Sequence, residues 1–165
     1  VPAAVREWLR LMNLPYSDFQ PGRADPAPLR AAGETFAPTV CYEDAYGSEQ
    51  LGLVRQSSLL VNVTNDAWFG DSTAPHQHLD ISRMRALESG RAMLRATNDG
   101  VTALIEHDGT VLATLPQFQP GVLTGEVQPR TGLTPYVRFG NWPILAVLWL
   151  GIAVIVVSSR RSIRR

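Results

Sequence analysis

The end of the chain limits the possible folds more than any other stretch. From Trp142 to Val157 there is no charge, and apart from Pro143 and Gly151 only apolar side chains. With Ser158 and Ser159 the run, WPILAVLWLGIAVIVVSS, reaches 18 residues. As a helix it measures about 27 Å, against roughly 30 Å of membrane hydrocarbon, so it just spans. A buried core helix is the alternative for a run this short. The flanks favour the membrane. Arg160, Arg161, Arg164 and Arg165 form a positive cluster of the kind that stays cytoplasmic, and Trp142 and Trp149 offer interfacial anchors. We expect a transmembrane helix over 142–159, a cytoplasmic basic tail over 160–165, and everything before Trp142 on the other side of the membrane. The preceding TGLTPYVRFGN, residues 131–141, reads as a linker.

The remaining chain is long enough for one domain with a core of its own. Charged residues are 18% of the sequence and the net charge is zero, which speaks against a nucleic-acid binder. All fifteen basic residues are arginine, so chemistry that requires a lysine cannot be completed by this chain alone. The single cysteine excludes an intramolecular disulfide and a cysteine metal cluster. Position 1 is Val and the first methionine is Met12, with no signal-peptide pattern ahead of it, which reads as the tail of a longer protein.

Short elements follow one another. Val5, Trp8, Leu9 and Met12 have helical spacing, and residues 15–38 hold five prolines and read mostly as loop. TFAPTV reads as a strand, SEQLGLVRQ as a short helix and LLVNVTN as a buried strand. From Pro75 to Ser89 a helix is expected, with Ile81, Met84 and Leu87 on one face and Gly90 past its end. MLRATN, VTALIEH and TVLATL read as strands joined at Asn98-Asp99-Gly100 and His107-Asp108-Gly109, and VLTGEV as one more. Helical crossovers first and hairpins later predict an α/β fold with a mixed sheet.

Cys41 sits where a strand gives way to a helix, on a turn where a sulfur can project and backbone N–H groups can face an oxyanion. A lone cysteine is also commonly a small core residue. Here Tyr42, Glu43 and Asp44 follow directly. Packing alone does not call for polar neighbours, and acids beside a reactive thiol call for a positive or hydrogen-bonding partner that the local sequence lacks.

The segments VCYEDAYG, LVNVTNDAWFGDSTAPHQHLDISRMRALESGRAMLRATNDG and PQF…TGLTPYVRFGNWP, which span nearly all of the chain, resemble the C-terminal part of the apolipoprotein N-acyltransferase family, within the nitrilase or carbon-nitrogen hydrolase superfamily. That resemblance implies a partial nitrilase-like αββα sandwich over residues 1–130 followed by the one C-terminal transmembrane helix. It implies a bacterial inner-membrane enzyme with its catalytic domain in the periplasm, acting without a cofactor. The family's Glu-Lys-Cys triad carries over only at Cys41, the nucleophile; its Glu and Lys would lie upstream of Val1. The implied reaction moves a fatty acyl chain from a phospholipid, through a Cys41 thioester, to the N-terminal diacylglyceryl-cysteine of an apolipoprotein. The same fold and triad also cleave amides and nitriles, so a membrane-tethered carbon-nitrogen hydrolase is an alternative, as is an inactive lipid- or peptide-binding piece.

Tyr42 and Glu43 match residues the family uses beside its nucleophile; a packed ring and a structural hydrogen-bond acceptor are their simpler roles. Trp68 and Phe69, in a loop after a buried strand, are expected to line an acyl-chain entrance, to dip into the membrane interface, or to plug the loop from beneath. Asn65 and Asp66 are expected to hold a turn. His76 and His78, two apart, fall on different helix faces, so no shared metal is expected. His78 matches a family histidine, whereas His76 stands where the family has an aromatic residue. His107 is expected to be solvated. Arg83, Arg85, Arg91 and Arg95 are read as a salt-bridged helix face or as contacts for lipid phosphates.

Overall fold

The computed structural model describes residues 26–163 and, before them, only the isolated positions Val5 and Leu11; beyond Val156, side chains are described only at Ser158 and Ser159. Except for Val5 and Leu11, the amphipathic turns expected up to Met12 lie outside the described residues, as do Arg164 and Arg165.

One six-stranded sheet follows the sequence order, β1 (Leu29–Ala31), β2 (Glu34–Val40), β3 (Leu59–Asn65), β4 (Met93–Asn98), β5 (Ala103–Ile105) and β6 (Val111–Thr114). β2, β3 and β4 run parallel, and β1, β5 and β6 join antiparallel to their neighbours. Parallel neighbours cannot be linked by a hairpin. Helices α1 (Gly47–Val54) and α2 (Ala74–Ser89) therefore make the crossovers, while the antiparallel end is closed by tight turns, with Asp99 at φ 57° and Gly109 at φ 82°. The mixed α/β sheet expected from the sequence is present, and the segments read as TFAPTV, LLVNVTN and MLRATN are its three parallel strands.

Strand register sorts the buried face into two rows. Ala37, Leu60, Met93 and Ile105 lie side by side as an apolar row, and Thr39, Asn62, Arg95 and Ala103 form a mostly polar row nearer the carboxyl ends of the parallel strands. The apolar row packs with Val54 of α1, Ala86 of α2 and Val137 into the core. Alternation puts Val40 and Val63 on the opposite face, 58% and 46% exposed. LLVNVTN is thus buried along one side and, on the other, only at its first residue, Leu59.

Three expectations need correction. The buried face of α2 is Pro75, His78, Ser82, Ala86 and Ser89, while Met84 and Leu87 are about half exposed. The reason lies beneath the helix, because the polar row of the sheet demands small and hydrogen-bonding partners there. VLTGEV forms no strand. It runs over the outer face of the sheet without a ladder partner, and with Val61, Leu94 and Leu104 it borders an apolar groove of about 560 Å³. Residues 131–141 are docked and not a free connector. They contain α3 (Pro135–Phe139), whose Val137 is fully buried. Thr134 caps this helix by accepting from Val137 N at 3.1 Å and donates to Glu88 O at 2.6 Å, and Arg55 Nε donates to Val137 O at 3.0 Å. A threonine followed by proline is an ordinary helix start.

The terminal apolar run is helical as α4 (Trp142–Ile163), 22 residues whose apolar side chains between Trp142 and Val156 are exposed, Trp142 at 77% and Ile155 at 67%. Among the described residues no helix is long and apolar enough to cross a membrane; the side chains of α4 are described without a break only from Trp142 to Val156.

Candidate active site

Cys41 directly follows β2, and its φ of 53° places a non-glycine residue in the left-handed region. Such a backbone costs about 1–3 kcal/mol and persists only where surrounding bonds over-determine it. Those bonds are present. The Glu43 carboxylate accepts from Val40 N at 2.7 Å, Gln50 Nε2 donates to Glu43 O at 2.6 Å, and Asn62 Nδ2 donates to Cys41 O at 3.0 Å. The chain then turns through a 3-10 segment, Cys41–Ala45, into α1, and Cys41 is left partly exposed at the carboxyl end of a parallel strand. In open α/β sheets that end is where ligands bind.

Beneath the turn lies a buried charged cluster. Arg95, on β4, donates to Asp66 Oδ2 at 3.0 Å, to Asn62 Oδ1 at 2.9 Å and to Ser82 Oγ at 2.7 Å, and stands 3.5 Å from Asp44 Oδ2. His78 bridges the same two acids, Nε2 to Asp44 Oδ1 at 3.1 Å and Nδ1 to Asp66 Oδ1 at 3.0 Å. Ser82 Oγ donates to Asp44 Oδ2 at 2.6 Å. Both acids and Arg95 are essentially inaccessible. Two carboxylates against one guanidinium leave a negative charge that a protonated His78 balances, and buried charges persist when paired. Desolvation opposes the imidazolium, as does Arg95, yet the hydrogen bonds to Asp44 and Asp66 outweigh them and hold the His78 pKa above its ordinary 6.5. Burial pulls the Arg95 guanidinium below its ordinary value, with Asp66, Asp44 and Cys41 working the other way. The positive charge that local sequence around Cys41 lacked arrives from a strand more than fifty residues later.

The predicted residues distribute as follows. The Tyr42 ring is exposed and stands edge-on to Tyr46 and tilted to His78, with centroids 6.4 and 5.7 Å away. Glu43 spends its carboxylate on the Val40 amide and so braces the turn. Trp68 and Phe69 occupy a short 3-10 turn after β3, 78% and 50% exposed, too open for a plug under a loop. Asn65 holds its turn as expected, accepting from Ala67 N at 3.2 Å. Asp66 instead belongs to the buried cluster. Arg95 is neither on a helix nor near solvent; Arg91 is buried too, donating to Ser57 O and Gly132 O, and only Arg83 and Arg85 make pairs along the α2 surface, with Asp80 and Glu88. His107 is partly exposed and stands against Glu106, with Nδ1 2.8 Å from its Oε1. His76 faces out while His78 faces in. Among the described residues no group of three or more His, Cys, Asp or Glu is placed to hold a metal.

Asp44, Asn62, Ser82 and the true roles of Asp66 and Arg95 escaped the sequence reading. A signal existed for two of them. Asn62 and Arg95 each stand two residues after a buried apolar residue of the same strand face, Leu60 and Met93, and a polar side chain at such a position must find partners.

A family model described as carbon-nitrogen hydrolase matches residues 17–136. Among curated proteins, the apolipoprotein N-acyltransferase of Azotobacter vinelandii is 51% identical over 160 residues, covering 96% of this chain and 31% of that protein. Those of Ralstonia nicotianae and Methylococcus capsulatus are 47% and 48% identical, with 99% and 93% of this chain covered and 32% and 30% of theirs. The chain thus spans about a third of the length of the curated relatives it matches. Among solved structures, a mutant amidase from Nesterenkonia sp. AN1, carrying the acetamide moiety of fluoroacetamide on its active-site cysteine, is 25% identical with a TM-score of 0.52, over 64% of this chain and 42% of that one. A carbon-nitrogen hydrolase from Helicobacter pylori shares the fold at 14% identity and a TM-score of 0.52, over 60% of this chain and 42% of that one.

Proposed function

Because the chain belongs to the carbon-nitrogen hydrolase family, we propose that Cys41 is the nucleophile of an apolipoprotein N-acyltransferase and that this chain is its C-terminal part. The observation that carries the reading is the placement of the chain's one thiol on a braced left-handed turn at the carboxyl end of a parallel strand. Near 50% identity to curated N-acyltransferases over almost the whole chain, against 25% to the amidase, supports acyl transfer over amide hydrolysis.

In this chemistry the Cys41 thiolate attacks the ester carbonyl of a phospholipid, the tetrahedral intermediate expels the lysophospholipid alkoxide, which takes up a proton, and a thioester remains. The α-amino group of a diacylglyceryl-cysteine then attacks the thioester carbonyl, loses its proton, and returns the sulfur as leaving group. The family's Glu base and Lys oxyanion partner have no counterpart assigned in this chain, which contains no lysine at all. The 165 residues alone are therefore expected to be inactive, since each missing group is worth about 10²-fold or more. Tyr42 and Glu43 support the nucleophile, Glu43 through the Val40 amide. Trp68 and Phe69 offer exposed apolar surface to the acyl chain. The exposed apolar side chains of α4, followed by arginines, support a membrane anchor with a cytoplasmic C-terminus and a periplasmic catalytic domain in a bacterial inner membrane.

The test joins this chain to the upstream two thirds of the Azotobacter vinelandii relative and follows intact mass during incubation with phospholipid vesicles. An acyl adduct on the chimera, absent from its Cys41→Ser variant and from the isolated chain, is expected. An adduct that survives Cys41→Ser in equal yield removes the nucleophile, and ammonia release from small amides without lipid transfers the assignment to the hydrolase reading.

A further inference from the structure

The main-chain ladder between β2 and β3 ends at Val40 and Val63, one residue short of the nucleophile. The carbonyl of Cys41 then turns inward, and its partner is a side chain, the fully buried amide of Asn62. That amide has no freedom to turn over. Its Oδ1 accepts from Arg95 Nη1 at 2.9 Å, and a guanidinium can only donate, so the NH₂ group must point the other way. Its two hydrogens go to Cys41 O and to Thr39 Oγ1, both at 3.0 Å, and the Thr39 hydroxyl passes its own proton to Val61 O at 3.3 Å. Every donor and acceptor along the line from Arg95 to Cys41 is committed in one direction. Arg95 is itself fixed by Asp66, Asp44, Ser82 and Val101 O.

We propose that Asn62 is a positioning residue for the nucleophile, its amide locked by Arg95 so that it holds the Cys41 carbonyl inward and keeps the left-handed turn that presents the sulfur. The inference deepens the nucleophile reading of Cys41 and rests on it. Asn62 touches no substrate and acts only through the backbone of residue 41. Without the bond, the carbonyl faces a buried region with no donor, and Cys41 is free to relax toward an ordinary strand conformation that withdraws the thiol.

Because Cys41 is the chain's sole cysteine, native alkylation by iodoacetamide, read by intact mass from pH 6 to 10, reports on it without ambiguity. N62D keeps the shape of the side chain and an acceptor for Arg95 but sets an oxygen against the Cys41 carbonyl; N62L removes the donor without adding charge. With the Cys41 carbonyl released, the sulfur withdraws at every pH, so N62L is expected to displace the whole pH-rate profile to rates roughly three- to tenfold lower, at the alkaline end as much as near neutral pH, and N62D to do so at least as far. A purely structural role predicts something different, a lowered melting temperature in both variants with the profile unmoved, and that result overturns the proposal. Where N62L does not fold, N62D decides. Alkylation requires neither lipid nor acceptor. A displaced profile in a protein that never forms an acyl adduct therefore keeps this inference and removes the acyl-transfer reading, and an adduct with an undisplaced profile does the reverse.

Discussion

His78 illustrates how one side chain can bind a site to the pH. It faces Asp44 from the 3-10 turn, Asp66 from the end of β3, Arg95 from β4 and the Tyr42 ring, with Ser82 beside it on its own helix. Its folded-state pKa lies above the ordinary 6.5, so the folded protein holds this proton more tightly than the unfolded chain. The stabilisation is complete below about 6.5 and is lost as pH rises through the folded-state value. Thermal melts from pH 5 to 9 are expected to show the melting temperature falling above pH 6.5, and His78→Gln to flatten that fall while lowering the acid plateau. A melting temperature that rises over the same range contradicts a protonated bridge. The sequence could single out Cys41, because its neighbours are local, and it could place His78 on a different face from His76. It could not join His78 to Asp44, 34 residues away, or Arg95 to Asp66, 29 residues away. A pair of that separation leaves no spacing rule, only the anomaly of polar residues on a buried strand face.

At the scale of elements, periodicity found the parallel strands and both crossover helices, but it misjudged what each face meets. In α2 the apolar spacing of Ile81, Met84 and Leu87 suggested the core side, yet the helix turns His78 and Ser82 inward because the row opposite holds Asn62 and Arg95. The 131–141 segment erred the other way. Proline and glycine suggested a linker, whereas Thr134 and Pro135 start a helix that drives Val137 into the core. Removing that cap tests how firmly the segment is docked. Thr134→Ala loses both the bond to Val137 N and the donation to Glu88 O and is expected to destabilise the fold by about 0.5–2 kcal/mol in urea titrations. A change within the error of the titration makes α3 an incidental contact.

At the scale of the whole molecule, among the described residues the sheet has helices on one face and only the 121–125 strap across part of the other. Val61, Val63 and Leu94 line an outer surface that an αββα sandwich buries against a second sheet. Val61→Thr with Val63→Thr retains strand propensity while making that surface polar. The pair is expected to reduce binding of a hydrophobic dye by the isolated chain with a loss of only a few degrees in melting temperature; a collapse of the fold means that this face is already core. The sequence by itself determined the mixed α/β order, the turn that carries Cys41 and the apolar terminal helix, since each follows from local period, turn chemistry or composition. Only the tertiary structure decided that the buried face divides into an apolar and a charged row and that Asn62, held by Arg95, reaches the Cys41 carbonyl. Strand register brings together residues whose sequence separation encodes nothing about their contact.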